Sequence, residues 1–245
     1  RDAVGGDIKI ANDGHGKWSL PVAIQIAKEM EKLDIMWQED LMPVLNPDAL
    51  RQLQDATSTP VCISERLLTR WQLREFIENG AAQIVMPDLI WTGGISETHR
   101  IAVMASAHQV PVAPHDATGP VNIFACAHIC MNSPNAMLME HVRPYLYGWY
   151  GEFVDPLPPI EHGWLYAPQH PGIGTRLRRE VFERSDVKLK VSDESIMIDG
   201  MNDEGWEGGA WFPEKMWSEM EEIISFRVQK SPIAGSQIDR NGDDE

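Results

Sequence analysis

Basic residues are few in this chain. Among 245 residues there are 21 Lys and Arg against 37 Asp and Glu, a formal net charge of −16. An acidic balance of that size argues against nucleic acid and anionic membranes as partners. Long apolar runs are missing as well: none approaches the roughly 20 residues of a membrane span. No basic-then-apolar leader opens the sequence. Cysteine is scarce, with Cys62, Cys126 and Cys130 the whole complement. An odd, sparse count points to a reducing compartment, so a cytoplasmic location is the expectation. Cys126, His128 and Cys130 lie in an apolar stretch, 121–131, and read as part of a core helix rather than a metal cluster. What the chain does have is 43% hydrophobic and 24% charged residues. That suits one large globular domain, or one domain with a tail.

Short apolar runs alternate with helical stripes. Residues 7–13 alternate like a strand and stop at Gly14, His15 and Gly16. Residues 19–32 carry an apolar stripe at helical spacing, with Ser19 as N-cap and Pro21 in the first turn. The pattern repeats: strands over 34–39, 60–65, 82–88, 110–115 and 135–140, and helices over 46–56, 69–79, 96–108 and 121–131. Strict alternation of this kind predicts a parallel α/β sheet with right-handed crossovers. Each strand ends in an acid or a histidine: Asp13, Glu39, Glu65, Asp88, His115, Glu140. The step is roughly 25 residues, the length of one strand–helix unit. A doubly wound sheet gathers ligands at one switch point. Ionisable residues on every strand tip suit a ring instead, as in a (β/α)8 barrel. Six units fall short of eight, so the barrel is expected to be incomplete at its N-terminus. Residues 1–185 are assigned to the barrel domain with its return segment, and 186–245 to an irregular acidic tail. In that tail a helix is expected over 214–228 and disorder over 231–245. Residues 143–150 read as an aromatic loop.

Three carboxylates on successive strand tips repel one another unless a cation lies between them. Asp13, Glu39 and Glu65 form a hard oxygen donor set, which suits Mg²⁺. The competing explanation is that such acids cap helices or pair with Arg66 and Arg70. An aspartate beside a histidine holds the imidazole in one tautomer and raises its basicity, so Asp88 and His115 read as a general base. His15, two residues past Asp13, is placed at the same mouth as a second acid/base group. Glu140 is a candidate for contact with substrate, Asp40 for supporting the metal ligands, and Trp91 with Thr92 for lining the pocket. Asn12 falls on the opposite face of its strand.

The ordered set Asp13, Glu39-Asp40, Glu65, Pro87-Asp88 with Gly93 and Gly94, His115 and Glu140 resembles the enolase superfamily and, within it, the mandelate racemase subgroup. Asp13 to Gly16, Ser64-Glu65-Arg66, and Pro114-His115 followed by Gly119-Pro120 are most similar to the galactonate dehydratase-like acid-sugar dehydratases. The resemblance spans residues 7–175. It implies Mg²⁺ held by Asp13, Glu39 and Glu65. It makes His115, oriented by Asp88, the base that takes the proton α to a carboxylate. His15 would be the acid that protonates the departing β-hydroxyl, giving a 2-keto-3-deoxy acid. Glu140 would bind substrate, and Asp40, Arg66 and Trp91 join it as candidate substrate-side residues. The implied partner is a small acid sugar, and the implied assembly a homo-oligomer.

The same comparison marks departures. The family's N-terminal capping domain has no counterpart in the sequence. Neither has its second barrel strand with a Lys-x-Lys base, for which Lys9 and Lys17 are no substitute. The chain reads as starting at the third barrel strand, and low activity in isolation is expected. Racemisation, epimerisation or cycloisomerisation through the same enediolate stays open beside dehydration, as does a non-catalytic barrel fragment.

Overall fold

Strand and helix alternate from Ala11 onward, as the apolar spacing dictates. The computed structural model describes residues 1–187, of which Arg1–Glu183 form one compact unit. The order is β1 (Ala11–Asp13), α1 (Leu20–Glu31), β2 (Trp37–Glu39), α2 (Pro47–Asp55), β3 (Val61–Ile63), α3 (Thr69–Glu78) and β4 (Ile84–Val85). Then come a one-turn α4 (Leu89–Thr92), α5 (Gly94–Ala107) and α6 (Pro120–Asn132). The four strands form a parallel sheet in chain order. Parallel bridges extend it: Val85 with Val112, Asp88 with His115, and Val112 with Ala136.

The strands are shorter than the apolar runs predicted, and the last two are single bridges. Pro87, Pro111 and Pro114 explain much of this, because proline offers no N–H to a ladder. Pairing continues around them, with Val112 N–H donating to Asn135 O (2.9 Å) and Glu140 N–H to Pro114 O (3.0 Å).

Two apolar layers flank the sheet. One joins Val61, Ile63, Val85 and Val112 to the helices through Ala23, Ala27, Leu50, Leu53, Leu73, Phe76, Ile101 and Ala105. The other holds Trp37, Cys62, Ile84, Met86 and Ala113, with Leu138 packed against it. Side chains two apart on a strand share a face. Stepping on from Trp37, Met86, Ala113 and Leu138 therefore brings Glu39, Asp88, His115 and Glu140 to the end of that second, inner layer. The core decides which groups meet at the mouth.

Helix starts follow local chemistry. Asn46 accepts a hydrogen bond from Ala49 N–H (3.0 Å), with Pro47 behind it in the first turn. Ser19 occupies the N-cap of α1 but makes no side-chain cap bond. Residues 143–150 are not the loop their composition suggested. They contribute α7 (Arg143–Tyr147) and the start of α8 (Tyr150–Phe153), because the aromatic rings pack on one another: Trp149 meets Tyr150 edge-on at 4.7 Å and Phe153 at 5.3 Å. Beyond them β5 (Val154–Asp155), β6 (Ile160–Glu161), β7 (Trp164–Leu165) and β8 (Arg176–Leu177) form two small antiparallel pairs, β5 with β8 and β6 with β7. Val154, Phe153, Ile160 and Ile173 dock this return segment against Ile123 and Phe124 of α6. Arg184 pairs with Asp186 at 2.7 Å. The helix expected over 214–228 and the disorder over 231–245 lie outside the described residues, as does most of the acidic tail.

Candidate active site

Asp88 ends the apolar run through β4 and His115 the neighbouring one, and the bridge between them sets their backbones side by side. His115 Nδ1 lies 2.7 Å from Asp88 Oδ2. A carboxylate oxygen accepts, so Nδ1 carries the hydrogen and Nε2 is turned outward. It lies 3.5 Å from Glu140 Oε2. Burial alone would pull the imidazole down, but the bond to Asp88 and the charges of Glu140, Asp88 and Glu65 push it up to about 9. Trp91, on α4, sets its ring 6.2 Å from the imidazole.

The carboxylates gather beside this pair. Asp13 and Glu39 are register partners on β1 and β2. Glu39 is buried, with Oε2 accepting from Trp37 Nε1 (3.2 Å). Burial, then the charges of Glu140 and Asp13, push it up to about 7. Glu65 is buried and accepts from Ser64 Oγ. Asp13 accepts from His15 N–H (2.7 Å). Among the described residues, no group of three or more His, Cys, Asp or Glu side chains is arranged to hold a metal ion. Asp13, Glu39 and Glu65 thus share one end of the sheet while each engages a neighbouring donor.

A second knot forms one turn away. Arg66 Nε is 3.6 Å from Asp40 Oδ2 and 3.9 Å from Glu65 Oε1, and its Nη2 donates to His15 O (3.2 Å). Asp40 is buried, and burial followed by the charge of Glu65 pushes its carboxyl up. Arg66 does pair with site acids, as the competing explanation held, whereas Arg70 pairs with Glu97 on α5 (2.5 Å). His15 Nδ1 lies 3.9 Å from Glu65 Oε1, on a largely exposed side chain. Gly14 fixes that loop. A Cβ there would come within 2.7 Å of Leu41 Cα and 2.6 Å of the Trp18 ring, so only glycine lets the loop run so close to Asp40 and Leu41.

Residues 1–181 match the family model described as enolase C-terminal domain-like. The chain belongs to that family. A crystal structure of an enolase of the mandelate racemase subgroup from Agrobacterium tumefaciens superposes with TM-score 0.71 at 36% identity, covering 75% of this chain and 50% of that one. The subgroup read from the residues is thereby supported, and the barrel-type α/β fold with it. D-galactonate dehydratase of Ralstonia pickettii is 32% identical over 191 residues, 76% of this chain and 50% of the relative. D-xylonate dehydratase of Haloferax volcanii is 31% identical over 187 residues, 76% of this chain and 45% of the relative. The chain spans about half the length of the curated relatives it matches. Among the described residues no helix is long and apolar enough to cross a membrane.

Within this enolase-like site, three residues escaped the sequence reading. Thr118 Oγ1 donates to Asp88 Oδ2 (3.2 Å), and Asn122 Nδ2 lies within 3.5 Å of both Asp88 oxygens. Asp116, next to His115, is fully buried. Burial pushes its carboxyl up to about 7. Only Asp116 left a signal, as an acid one position past a strand tip. Asn122 looks like an ordinary polar residue in a helix.

Proposed function

We propose that this chain carries the catalytic face of a Mg²⁺-dependent acid-sugar dehydratase. The observation that carries the reading is the Asp88–His115 pair, 2.7 Å apart, facing Glu140 at the end of the inner layer where Glu39 also arrives. In donor chemistry, rather than as a preformed cluster among the described residues, the carboxylates suit a divalent cation. Asp13, Glu39 and Glu65 are hard oxygen donors, and Glu39 is buried among like charges. Bound there, Mg²⁺ would offset those charges and supply electrostatic stabilisation to a carboxylate gaining negative charge.

The chain's own residues then divide the proton work. Nε2 of His115 takes the proton from the carbon α to the substrate carboxylate, with Asp88 holding the tautomer that leaves this nitrogen free. An α-proton next to a carboxylate is a weak acid, so the dianion formed needs nearby cationic charge, and a low-dielectric pocket strengthens that stabilisation. His15 delivers a proton to the β-hydroxyl as its C–O bond breaks and water leaves. The enol that results tautomerises to the 2-keto-3-deoxy acid. Glu140, Arg66 and Asp40 contact or brace the substrate side, and Trp91 walls the imidazole. Relatives named for galactonate and xylonate make five- and six-carbon aldonates the first substrates to try.

The test is a screen of aldonic acids with Mg²⁺, reading keto-acid formation as a carbonyl adduct. Low turnover of one or more is expected, with His115→Asn at least about 10³-fold slower. Turnover that survives the His115→Asn change would overturn the assignment.

A further inference from the structure

Asp88 is completely buried, and its carboxylate is ringed by donors. Oδ1 accepts from Ile90 N–H (2.8 Å). Oδ2 accepts from His115 Nδ1 (2.7 Å) and Thr118 Oγ1 (3.2 Å). Asn122 closes the ring from the first turn of α6. Its Nδ2 lies 3.5 and 3.4 Å from the two Asp88 oxygens, 3.2 Å from His115 O and 3.1 Å from Thr118 Oγ1. Every neighbour of that nitrogen accepts hydrogen bonds, while the amide has two hydrogens to give. The assignment of nitrogen rather than oxygen to this position follows, because the reverse rotamer would point a carbonyl at a carboxylate. The side chain is 1% exposed, so water cannot take its place.

We propose that Asn122 is a positioning residue: its amide, mounted on α6, sets the plane of the Asp88 carboxylate and ties down the His115 main chain, and so aims Nε2 of His115. This deepens the dehydratase reading and rests on it for the identity of the reaction. Three features give the role its physical content. Asn122 touches both members of the pair, one through its side chain and the other through its backbone. Pro120 at the start of α6 stiffens the turn that carries it. The contacts of Ile123 and Phe124 with the return segment hold the helix itself. A group that braces a catalytic pair in this way changes activity by about 10–100-fold when removed.

The experiment pairs kinetics with nitrogen-15 NMR of the histidine rings in Asn122→Leu, the His115 signals being identified by their loss in His115→Asn. Loss of the amide is expected to lower kcat about 10–100-fold on the best aldonate, with KM changed less than about twofold. The His115 signals should change from a single Nδ1-protonated pattern to a mixed one. Should Asn122→Leu fail to fold, Asn122→Asp keeps the shape and turns an acceptor toward Asp88. It is expected to disturb kcat and the ring pattern at least as much. An unchanged ring pattern in a folded variant overturns the proposal, as does an unchanged kcat. If the native protein turns over no acid sugar yet its His115 pattern changes on substitution, the reaction reading fails and the positioning role stands.

Discussion

Nε2 of His115 lies 3.5 Å from Glu140 Oε2, an oxygen with no hydrogen-bond partner of its own. The imidazole is therefore held between two carboxylates, Asp88 on one nitrogen and Glu140 near the other. Both favour its charged form, and together with Glu65 they overcome burial. A base of this kind is released only as pH rises toward 9. In the free protein, kcat/KM on the preferred aldonate should climb through the neutral range to a limb governed by His115. Replacing Glu140 by Gln removes one of the charges and should move that limb to lower pH. A limb that stays put in Glu140→Gln would show that Glu140 does not govern the imidazole.

Asp88→Asn tests the tautomer. An amide can present its NH₂ to Nδ1, which then loses its hydrogen and leaves Nε2 protonated. A loss of kcat on the order of 10³–10⁴-fold is expected, by analogy with the aspartate of a Ser-His-Asp triad. Asp88 also caps α4 through Ile90, so the melting temperature should be recorded with the rate. A rate within tenfold of native would be incompatible with an orienting role.

His15→Asn separates dehydration from the alternatives that share an enediolate. If His15 is the acid for the leaving hydroxyl, its loss should slow keto-acid formation by about 10²–10⁴-fold. Exchange of the α-hydrogen with deuterated solvent should continue through His115. Equal losses of exchange and elimination would remove His15 from that role and favour a racemase- or epimerase-like reaction.

Acid and base shifts make the fold itself sensitive to pH. Asp116 ionises near 3.8 in an unfolded chain and near 7 in the fold. The folded form therefore keeps a proton that the unfolded form releases, and stability declines as pH rises between those values. His115 behaves likewise. Its contribution is complete below about 6.5 and is lost as pH passes through about 9. In the presence of chelator, Tm should fall steadily from pH 5 to pH 9. Millimolar Mg²⁺ should raise it at pH 8, since a ligand of the native state stabilises that state. A Tm that is flat or rising over this range, or indifferent to Mg²⁺, would contradict the charge arrangement proposed for the mouth.

Much of the candidate site's placement was legible because strand periodicity and chemistry coincide in it. Asp88 and His115 each close an apolar run, and their pairing needed no more than parallel neighbours. Asp13, Glu39 and Glu65 were placed at one end of the sheet by the same spacing. Strand lengths were overread, since apolar residues continue through Pro87, Pro111 and Pro114 where the ladder cannot. Residues 143–150 were misread as a loop, because aromatic composition alone does not reveal the local ring packing of Trp149 with Tyr145, Tyr150 and Phe153. Asn122 left no trace in the sequence. Its role depends on where the first turn of α6 ends up in space, and nothing in one buried asparagine's neighbours announces that it faces a carboxylate.

The alternation that brings Glu39, Asp88, His115 and Glu140 to one rim has a consequence for how such a protein changes over time. Each of these groups arrives on a separate extended segment, anchored two positions back by its own apolar residue at Trp37, Met86, Ala113 or Leu138. The segments that follow those tips can lengthen, shorten or be exchanged without disturbing the anchors. A deletion of one residue inside any of these segments would instead turn its rim group toward the helices. Inherited variation is thereby channelled into the loops, while the groups at the rim stay in place.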